Sequence, residues 1–136
     1  MKKVAVVFWS GTGNTESMAD AVVQGSNGAK IAAADFSKEK MSEYDAVAFG
    51  CPAMGAEELE DTEFLPMFEA VKSELGGKDI ALFGSYGWGD GEWMRIWEDD
   101  CKNAGANLKA ESVICTDAPD DEALEKCRAL GAALAE

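Results

Sequence analysis

Two kinds of hydrophobic pattern alternate along the chain. Continuous apolar runs are typical of parallel strands buried on both faces, whereas apolar residues that recur every three or four positions are typical of one helix face. The predicted strands are Val4 to Phe8, Lys30 to Ala34, Ala46 to Phe49, Ile80 to Phe83 and Leu108 to Cys115. The predicted helices are Glu16 to Gln24, a short one within 37–44, Thr62 to Leu75, Glu92 to Ala104, and a last one introduced by Pro119.

This alternation predicts the fold class and the domain organisation. Strands that alternate with helices form a doubly wound parallel sheet, here five-stranded, between two helical layers, and residues 1–136 are predicted to form a single α/β domain. Ligands of such sheets bind beyond the carboxyl ends of the strands, where the strand order reverses. We therefore expect the segments 10–15, 51–58 and 84–91, which follow three of the strands, to meet at one site.

Helical spacing also predicts which side chains face the core. With Thr62 as the N-cap, the third helix places its Pro66 in or next to the first turn, where proline is tolerated. The predicted inward residues are Phe64, Leu65, Phe68 and Val71 in the third helix, Trp93, Ile96, Trp97 and Cys101 in the fourth, and Ala123, Leu124, Cys127, Leu130 and Leu134 in the last.

The segment Ser10-Gly11-Thr12-Gly13-Asn14-Thr15 connects the first strand to the first helix and indicates a phosphate site. Backbone N–H groups at a helix start, together with hydroxyl donors, form an anion-binding concavity. No Gly-Lys-Ser/Thr ending follows, and Glu16 stands where the third glycine of a dinucleotide fingerprint belongs, so neither of those motifs fits. One terminal phosphate held by neutral donors remains. The alternative is an ordinary Ser/Thr-rich helix cap.

The other two segments carry large side chains suited to a flat ligand. Met54 lies next to Gly55 after the third strand, and Tyr86 and Trp88 lie in a segment with four glycines. Because aromatic rings in an exposed glycine-rich loop are costly unless they cover something flat, Met54 and Trp88 are candidates for the two sides of a planar ring. The alternatives are a core methionine and a surface tryptophan. Trp9 either shields the phosphate or is a buried structural residue.

The charge balance narrows the choice of partners. Twelve Lys and Arg against 26 Asp and Glu give a net charge of −14, which disfavours nucleic acid and anionic membranes and favours basic proteins. An acidic surface also occurs simply for solubility. The absence of histidine removes the commonest general base and imidazole metal ligand.

The cysteines and the N-terminus point to a cytoplasmic protein. The four cysteines show no C-x-x-C spacing and are interpreted as reduced core thiols, with no metal site. The apolar run after Met1-Lys2-Lys3 ends at Trp9, which is too short for a signal peptide or a membrane span.

Three segments together resemble one family, and the similarity runs the whole length of the chain. Residues 9–15 (WSGTGNT), 50–55 (GCPAMG) and 84–94 (GSYGWGDGEWM) are similar to those of the short-chain flavodoxins of anaerobic bacteria. The resemblance implies the sheet order 2-1-3-4-5, with FMN at the reversal point. It also implies that the insertion of the long-chain members in the last strand is absent here.

The resemblance also implies roles for individual residues. Phosphate binding would fall to Ser10, Thr12, Asn14 and Thr15 with the loop amides, with Ser85 near the phosphate and ribityl end. Around the isoalloxazine, Met54 and Trp88 would flank the ring, Glu57 would accept from N3–H, and Gly55 would present its carbonyl to N5–H of the reduced cofactor. The cofactor contacts are predicted at Ser10, Gly11, Thr12, Gly13, Asn14, Thr15, Pro52, Ala53, Met54, Gly55, Ala56, Glu57, Ser85, Tyr86, Gly87, Trp88, Gly89 and Asp90.

The implied function is a low-potential carrier of one or two electrons between redox proteins, working as a monomer with reductases and oxidoreductases that present basic faces. Glu57, Glu58, Glu60, Asp61, Glu63 and Asp90 are predicted to surround the cofactor with negative charge, or else to be a solvated rim.

Two other classes of protein fit these residues less well. An FMN-dependent reductase is disfavoured because no basic residue lies in the three segments to receive a nicotinamide nucleotide. A receiver-type regulatory domain is disfavoured because Trp9-Ser10 and Cys51-Pro52 stand where its acidic residues belong.

Overall fold

A computed structural model describes residues 2–55, 58–87 and 89–136. The strands are β1 (Val4–Phe8), β2 (Ala29–Ala32), β3 (Ala46–Gly50), β4 (Asp79–Tyr86), β5 (Asn107–Leu108) and β6 (Val113–Thr116). The α-helices are α1 (Asn14–Ser26), α2 (Lys38–Met41), α3 (Phe64–Val71), α4 (Glu92–Asn103) and α5 (Asp121–Ala135), with 3₁₀ turns at Ala33–Asp35 and Lys72–Glu74.

All strand pairs of the sheet are parallel, in the order β2-β1-β3-β4-β5, and β6 also pairs with β4. Alternate side chains of a strand point to opposite faces, so β1 supplies two separate cores. Ala5 and Val7 pack in the cluster that includes α3 and α4, whereas Val4 and Val6 pack in the cluster that includes α1 and α5. The predicted fold class and strand order are confirmed.

The last predicted strand is wrong in one respect, because it is two short strands and not one. Residues 109–112 lie between β5 and β6 and belong to neither. This stretch includes Lys109, Glu111 and Ser112, and it lies at the edge of the sheet, where β4 is the only neighbour of β5 and β6 among the described residues. The Ser112 hydroxyl hydrogen-bonds the Glu98 carboxylate at 2.6 Å, a contact with α4 that lies outside the strand ladder.

The fourth strand is longer than predicted. Gly84, Ser85 and Tyr86 belong to β4, because they pair in register with Ile114, Cys115 and Thr116 of β6. The segment 84–91 is therefore strand in its first part, as far as Tyr86.

The start of α3 also differs from the prediction. The N-cap position is Glu63, not Thr62, and Pro66 lies in the first turn. The carboxylate of Glu60, a residue only 4% exposed, accepts hydrogen bonds from the backbone N–H groups of Thr62, Glu63 and Phe64 and from the Thr62 hydroxyl. A buried acid from the preceding segment thus satisfies the N–H groups that a helix start leaves unpaired.

Three predicted inward positions are exposed or only half-buried in the structure. Ile96 is 58% exposed, and its neighbour Met94 is buried instead. In α3 the buried residues are Phe64, Met67, Phe68 and Val71, whereas Leu65 is half-buried. Leu124 of α5 is likewise half-buried. Within 2–55, 58–87 and 89–136, no helix combines the length and the apolar character needed to cross a membrane.

Candidate functional site

The loop between β1 and α1 is shaped by Ser10 and Gly13. The Ser10 hydroxyl accepts the Gly13 N–H at 3.0 Å, and Gly13 occupies the N-cap of α1 with φ 96°, a backbone conformation that favours glycine. The Trp9 N–H bonds the carbonyl of Gly50 at 3.0 Å, which joins the start of the loop to the end of β3. The N–H groups of the first turn of α1 have no acceptor within the helix, so they are available to an anion.

Two buried hydroxyls lie beneath this loop. Thr15 is 1% exposed and Ser85 is 5% exposed, and their side-chain oxygens are 3.5 Å apart. A hydrogen bond between two hydroxyls uses one donor and leaves the other free. The pair therefore keeps a spare donor between α1 and β4.

The three predicted segments meet around one cavity of about 260 Å³. Its lining residues are Trp9, Gly11, Thr12, Asn14, Pro52, Ala53, Met54, Ser85, Tyr86, Gly87 and Asp117. The first, second and third segments all contribute, as expected for the carboxyl ends of β1, β3 and β4. The backbone joins two of them directly, since the Ala53 N–H bonds the Ser85 carbonyl at 3.1 Å.

Some predicted residues lie around this cavity without lining it. Ser10, Gly13 and Thr15 shape and support the first loop, and Gly55 lies beyond Met54. Gly89 has φ 88°, and the exposed Asp90 carboxylate pairs with Arg95 of α4 at 3.1 Å. Arg95 is a cation next to the third segment, on the helix that follows it. The predicted contacts at Ala56, Glu57 and Trp88 lie outside the described residues.

The segment that carries Met54 and Gly55 is closed by two backbone hydrogen bonds. Met54 and Glu58 pair antiparallel, each donating its N–H to the other's carbonyl at 2.8 and 2.9 Å. Gly55 has φ 48°, and a side chain there would meet nothing within 4 Å. Backbone conformation, not space, is therefore the reason for a glycine at this position.

Trp9 lies at the cavity in a fixed position. Its ring is close to Gly11, where an added Cβ would approach it to 3.0 Å, and its Nε1–H donates to the Glu63 carboxylate at 2.9 Å. Trp9 is half-buried and lines the cavity, which favours the shielding role over that of a fully buried structural residue.

Tyr86 and Trp93 form an aromatic pair at the cavity. Tyr86 lines the cavity, and the ring of Trp93 lies 5.3 Å from it between centroids. Trp93 is 2% exposed and donates its Nε1–H to the Cys51 carbonyl at 3.2 Å. Gly84 is required here, because a Cβ would lie 2.2 Å from that same carbonyl.

Cys51 is a structural residue of the site and not a nucleophile. It is fully buried, and burial raises the pKa of its thiol to about 12, so the reactive thiolate is scarce. Its sulfur lies 3.4 Å from the Glu60 N–H, which binds the segment after the Met54 turn to the end of β3.

One of the acidic residues predicted around the cofactor, Glu60, has a different role in the structure. Glu58, Asp61, Glu63 and Asp90 are exposed as predicted, but Glu60 is buried and is not part of an exposed rim. Burial acts to raise the pKa of the Glu60 carboxyl, but the hydrogen bonds from the Thr62 hydroxyl and from three amides outweigh it and hold the pKa below the ordinary 4.5. Glu60 therefore stays ionised as part of the α3 cap.

Asp117 lines the cavity and was not predicted. Its N–H bonds the Tyr86 carbonyl at 2.8 Å, and its φ of 56° lies in a region where aspartate is among the tolerated residues. The signal in the sequence is its position directly after the last strand, β6, whose carboxyl end lies at the same edge of the sheet. No group of three potential metal ligands occurs in the described part of the chain.

Comparison with known proteins identifies close relatives over the full length of the chain. The family model described as Flavodoxin matches residues 6–131. A flavodoxin of Megasphaera elsdenii is 39% identical over 97% of this chain and 98% of its own, and one of Clostridium beijerinckii is 39% identical over 96% and 97%. The solution structure of the two-electron reduced Megasphaera elsdenii protein superposes with a TM-score of 0.87, covering 97% of this chain and 98% of that one.

Proposed function

This chain belongs to the flavodoxin family, and we propose that the segments 10–15, 51–58 and 84–91 are the ones that hold its cofactor. The protein is an FMN-binding electron carrier that serves redox partner proteins, as its relatives are, and not an enzyme with a substrate of its own. The observation that supports the location most directly is the cavity at the carboxyl ends of β1, β3 and β4, into which neutral donors and aromatic side chains converge.

The phosphate of FMN is assigned to the start of α1. Thr12 and Asn14 line the cavity, Ser10 shapes the loop, and Thr15 and Ser85 contribute the buried hydroxyl pair. Backbone N–H groups and neutral hydroxyls stabilise an anion without a cation, and the absence of a basic residue in the loop is consistent with such a site. This donor set fits a single phosphate monoester.

The flavin ring is assigned to the other side of the cavity. Tyr86, Trp9 and Met54 provide apolar surface there, and Met54 is 38% exposed, which suits a side chain that covers a ligand. Trp88 and Glu57 keep the roles that the family resemblance gives them, as ring cover and as acceptor from N3–H. The remaining contacts proposed for the ring end are Pro52, Ala53, Gly55, Ala56, Gly87, Gly89 and Asp90.

The cofactor supplies the redox chemistry, taking up and releasing one or two electrons, and the protein supplies binding and tuning. The side chains around the cavity orient the ring and keep water from its faces. The carbonyl of Gly55 would accept a hydrogen bond from N5–H of the reduced ring. The exposed carboxylates nearby disfavour added negative charge on the ring, which lowers its potential.

We also propose that residues 1–136 form a single domain that works as a monomer in the cytoplasm, with basic redox partners. The one sheet and its two flanking cores support a single domain. Three buried cysteines whose thiol pKa is raised by burial to about 12, Cys51, Cys101 and Cys127, are consistent with a reducing compartment. The net charge of −14 supports both the monomer and the basic partners.

A comparison of two ligands tests the phosphate site. Each hydrogen bond lost to the phosphate costs roughly 1.5–3 kcal/mol, so Thr12→Val and Thr15→Val should each weaken FMN binding about tenfold or more. Riboflavin lacks the phosphate, and its affinity should change much less. Calorimetric titration of the apoprotein with both ligands measures the difference.

Ser17→Ala is the matched control, because this hydroxyl is in the same turn of α1 but donates to the Gly13 carbonyl at 3.1 Å. It should leave the FMN to riboflavin affinity ratio unchanged. Equal losses of both ligands in the threonine variants would place the phosphate elsewhere, and a protein that binds neither flavin would refute the proposed cofactor site.

A further inference from the structure

A second concave surface lies beside the cofactor cavity and shares none of its described lining residues. It is a groove of about 530 Å³ between α4 and the segment 58–65. Its lining residues are Glu58, Leu59, Leu65, Trp93, Ile96, Trp97, Asp99, Asp100 and Asn103. Its volume falls within the range of ligand pockets.

The interior of the groove is apolar. Leu59 and Leu65 on one side are half-buried, and Ile96 on the other is 58% exposed. Trp93 and Trp97, each 2% exposed, line it between them. Single exposed aliphatic residues are common on proteins, but here the exposed Ile96 adjoins an apolar hollow. Covering Ile96 and the two leucines would remove a contiguous apolar surface from water.

The rim of the groove is acidic. Of its three carboxylates, only Asp100 forms an ion pair within the described ranges, with Lys72 at 2.9 Å. Among the residues that the structure describes, no Lys or Arg forms an ion pair with Glu58 or Asp99. An apolar hollow with an uncompensated negative rim is complementary to an apolar side chain flanked by positive charges.

The groove also adjoins the cofactor cavity at two points. Glu58 is paired through its backbone to Met54, and Trp93 packs against Tyr86. Both Met54 and Tyr86 line the cofactor cavity. A segment bound in the groove would therefore lie next to the place where electrons enter and leave.

We infer that the groove between α4 and 58–65 docks a segment of a basic redox partner, in which one large aliphatic side chain stands between lysines or arginines. This inference rests on the proposed function, since a carrier must bind its partners close to the cofactor. The apolar side chain contacts Ile96, Leu59 and Leu65, and the flanking cations contact Glu58 and Asp99. The groove thus adds a short-range, apolar element of recognition to the long-range attraction of an acidic protein.

Two short peptides test this inference on the full-length protein loaded with FMN. The probe is acetyl-Lys-Lys-Leu-Lys-Lys-amide, and the reference peptide has serine in place of leucine. Both carry the same charge, so only burial of the leucine side chain distinguishes them. We expect the leucine peptide to bind at least about tenfold more tightly, and to shift the indole N–H resonances of Trp93 and Trp97 in NMR spectra.

Ile96→Ser and its control Ile114→Ser locate the effect. Both remove an exposed isoleucine without changing the charge, but Ile114, 39% exposed on β6, lies outside the groove. Ile96→Ser should abolish the preference for leucine, whereas Ile114→Ser should leave it intact. Equal binding of both peptides to the unmodified protein would overturn the inference, because the rim charges alone would then explain binding.

Two further measurements separate the remaining outcomes. Sedimentation of the FMN-loaded protein shows whether a second copy of the chain occupies the groove, and a dimer lost in Ile96→Ser would overturn the inference in favour of that occupant. The flavin absorbance of every sample shows whether the cofactor is bound. Failure of the peptides to discriminate with FMN in place refutes the groove alone, whereas failure to bind FMN refutes the proposed cofactor site.

Discussion

At the residue scale, Glu60 caps the start of α3 and also attaches the preceding segment to the end of β3. It lies between Asp61 and Leu59 in an acidic stretch, and by charge alone it belongs with the exposed acids around it. Its carboxylate instead accepts four hydrogen bonds at the start of α3, and its N–H lies against the Cys51 sulfur. The same residue therefore begins a helix and attaches the segment after Gly55 to the end of β3.

Replacing this cap should destabilise the protein in a pH-dependent way. Glu60→Gln keeps the size of the side chain and loses its charge, so we expect a loss of about 1–2 kcal/mol in the free energy of unfolding at neutral pH. A folded-state pKa below the ordinary 4.5 contributes stability above that value, and the contribution disappears as the pH falls through the folded pKa. The difference between the two proteins should therefore shrink below about pH 4.5. Urea unfolding between pH 7 and pH 3 measures it.

Asp61→Asn is the matched control, since it removes the neighbouring exposed charge. It should change the stability by less than about 0.5 kcal/mol. A difference between Glu60→Gln and the unmodified protein that stays constant down to pH 3 would show that the charge of Glu60 is not what stabilises α3.

The turn between Met54 and Glu58 illustrates the element scale. Two backbone hydrogen bonds hold its ends in place. Gly55 has φ 48°, and an added Cβ there would meet nothing within 4 Å. We therefore expect a substitution at Gly55 to act through the backbone conformation and not through a steric clash.

A branched side chain at Gly55 should shift the potential of the bound FMN. A threonine in the left-handed region costs roughly 1–2 kcal/mol and restricts rotation of the 55–56 peptide. The Gly55 carbonyl is then less able to accept a hydrogen bond from N5–H of the flavin. The first of the two one-electron potentials should become more negative in Gly55→Thr, while the affinity for oxidised FMN should change little. Spectroscopic redox titration follows both steps.

Gly77→Thr provides the same kind of backbone strain away from the site, because Gly77 has φ 75° and also has nothing within 4 Å of an added Cβ. It should lower the stability and leave both potentials unchanged. An unchanged first potential in Gly55→Thr would rule out the turn as the tuning element.

At the scale of the whole molecule, the excess of acidic residues governs encounter with partners. A net charge of −14 produces a field that attracts basic proteins over distances limited by a screening length of about 8–10 Å at physiological salt. Glu58, Asp61 and Glu63 are exposed acids in the segment that follows the Met54–Glu58 pair, beside the proposed cofactor cavity. Glu60 contributes to the net charge, but its carboxylate is buried in the cap of α3.

Electron transfer to a basic acceptor should therefore slow steeply as the ionic strength rises. Reversing Glu58 and Asp61 to lysine should lower the second-order rate at low salt by about tenfold or more and flatten its salt dependence. Stopped-flow mixing with a basic c-type cytochrome as the acceptor measures both. Glu60 is left unchanged, because its replacement would disturb α3.

Reversing Glu39 and Glu43 instead changes the net charge by the same amount on the exposed surface around α2, near the amino end of β3. This control should slow the reaction much less than the reversal of Glu58 and Asp61. Equal effects of the two double variants would mean that overall charge, and not a docking face, sets the rate.

The sequence by itself determined the parts of this protein that depend on local pattern. Val4–Phe8 and the third strand are continuous apolar runs, and a strand buried on both faces has to be apolar throughout, so their positions could be read directly. The loop between β1 and α1 could also be located, because glycine and hydroxyl residues directly follow an apolar run. Its role as a phosphate site stays a prediction. Tyr86 and Met54 were expected at the cavity because carboxyl ends of parallel strands share one edge.

The tertiary structure alone decided what depends on distant neighbours. Ser85 belongs to a strand because β6 pairs with it. Glu60 is buried because the start of α3 offers its carboxylate four hydrogen-bond donors. Ile96 is exposed because its side of α4 lines an open groove. Asp117 reaches the cavity through a hydrogen bond to Tyr86, 31 positions earlier in the chain. Helical or strand periodicity reports only which residues share a face, whereas pairing and burial depend on what that face meets in space, which no local pattern contains.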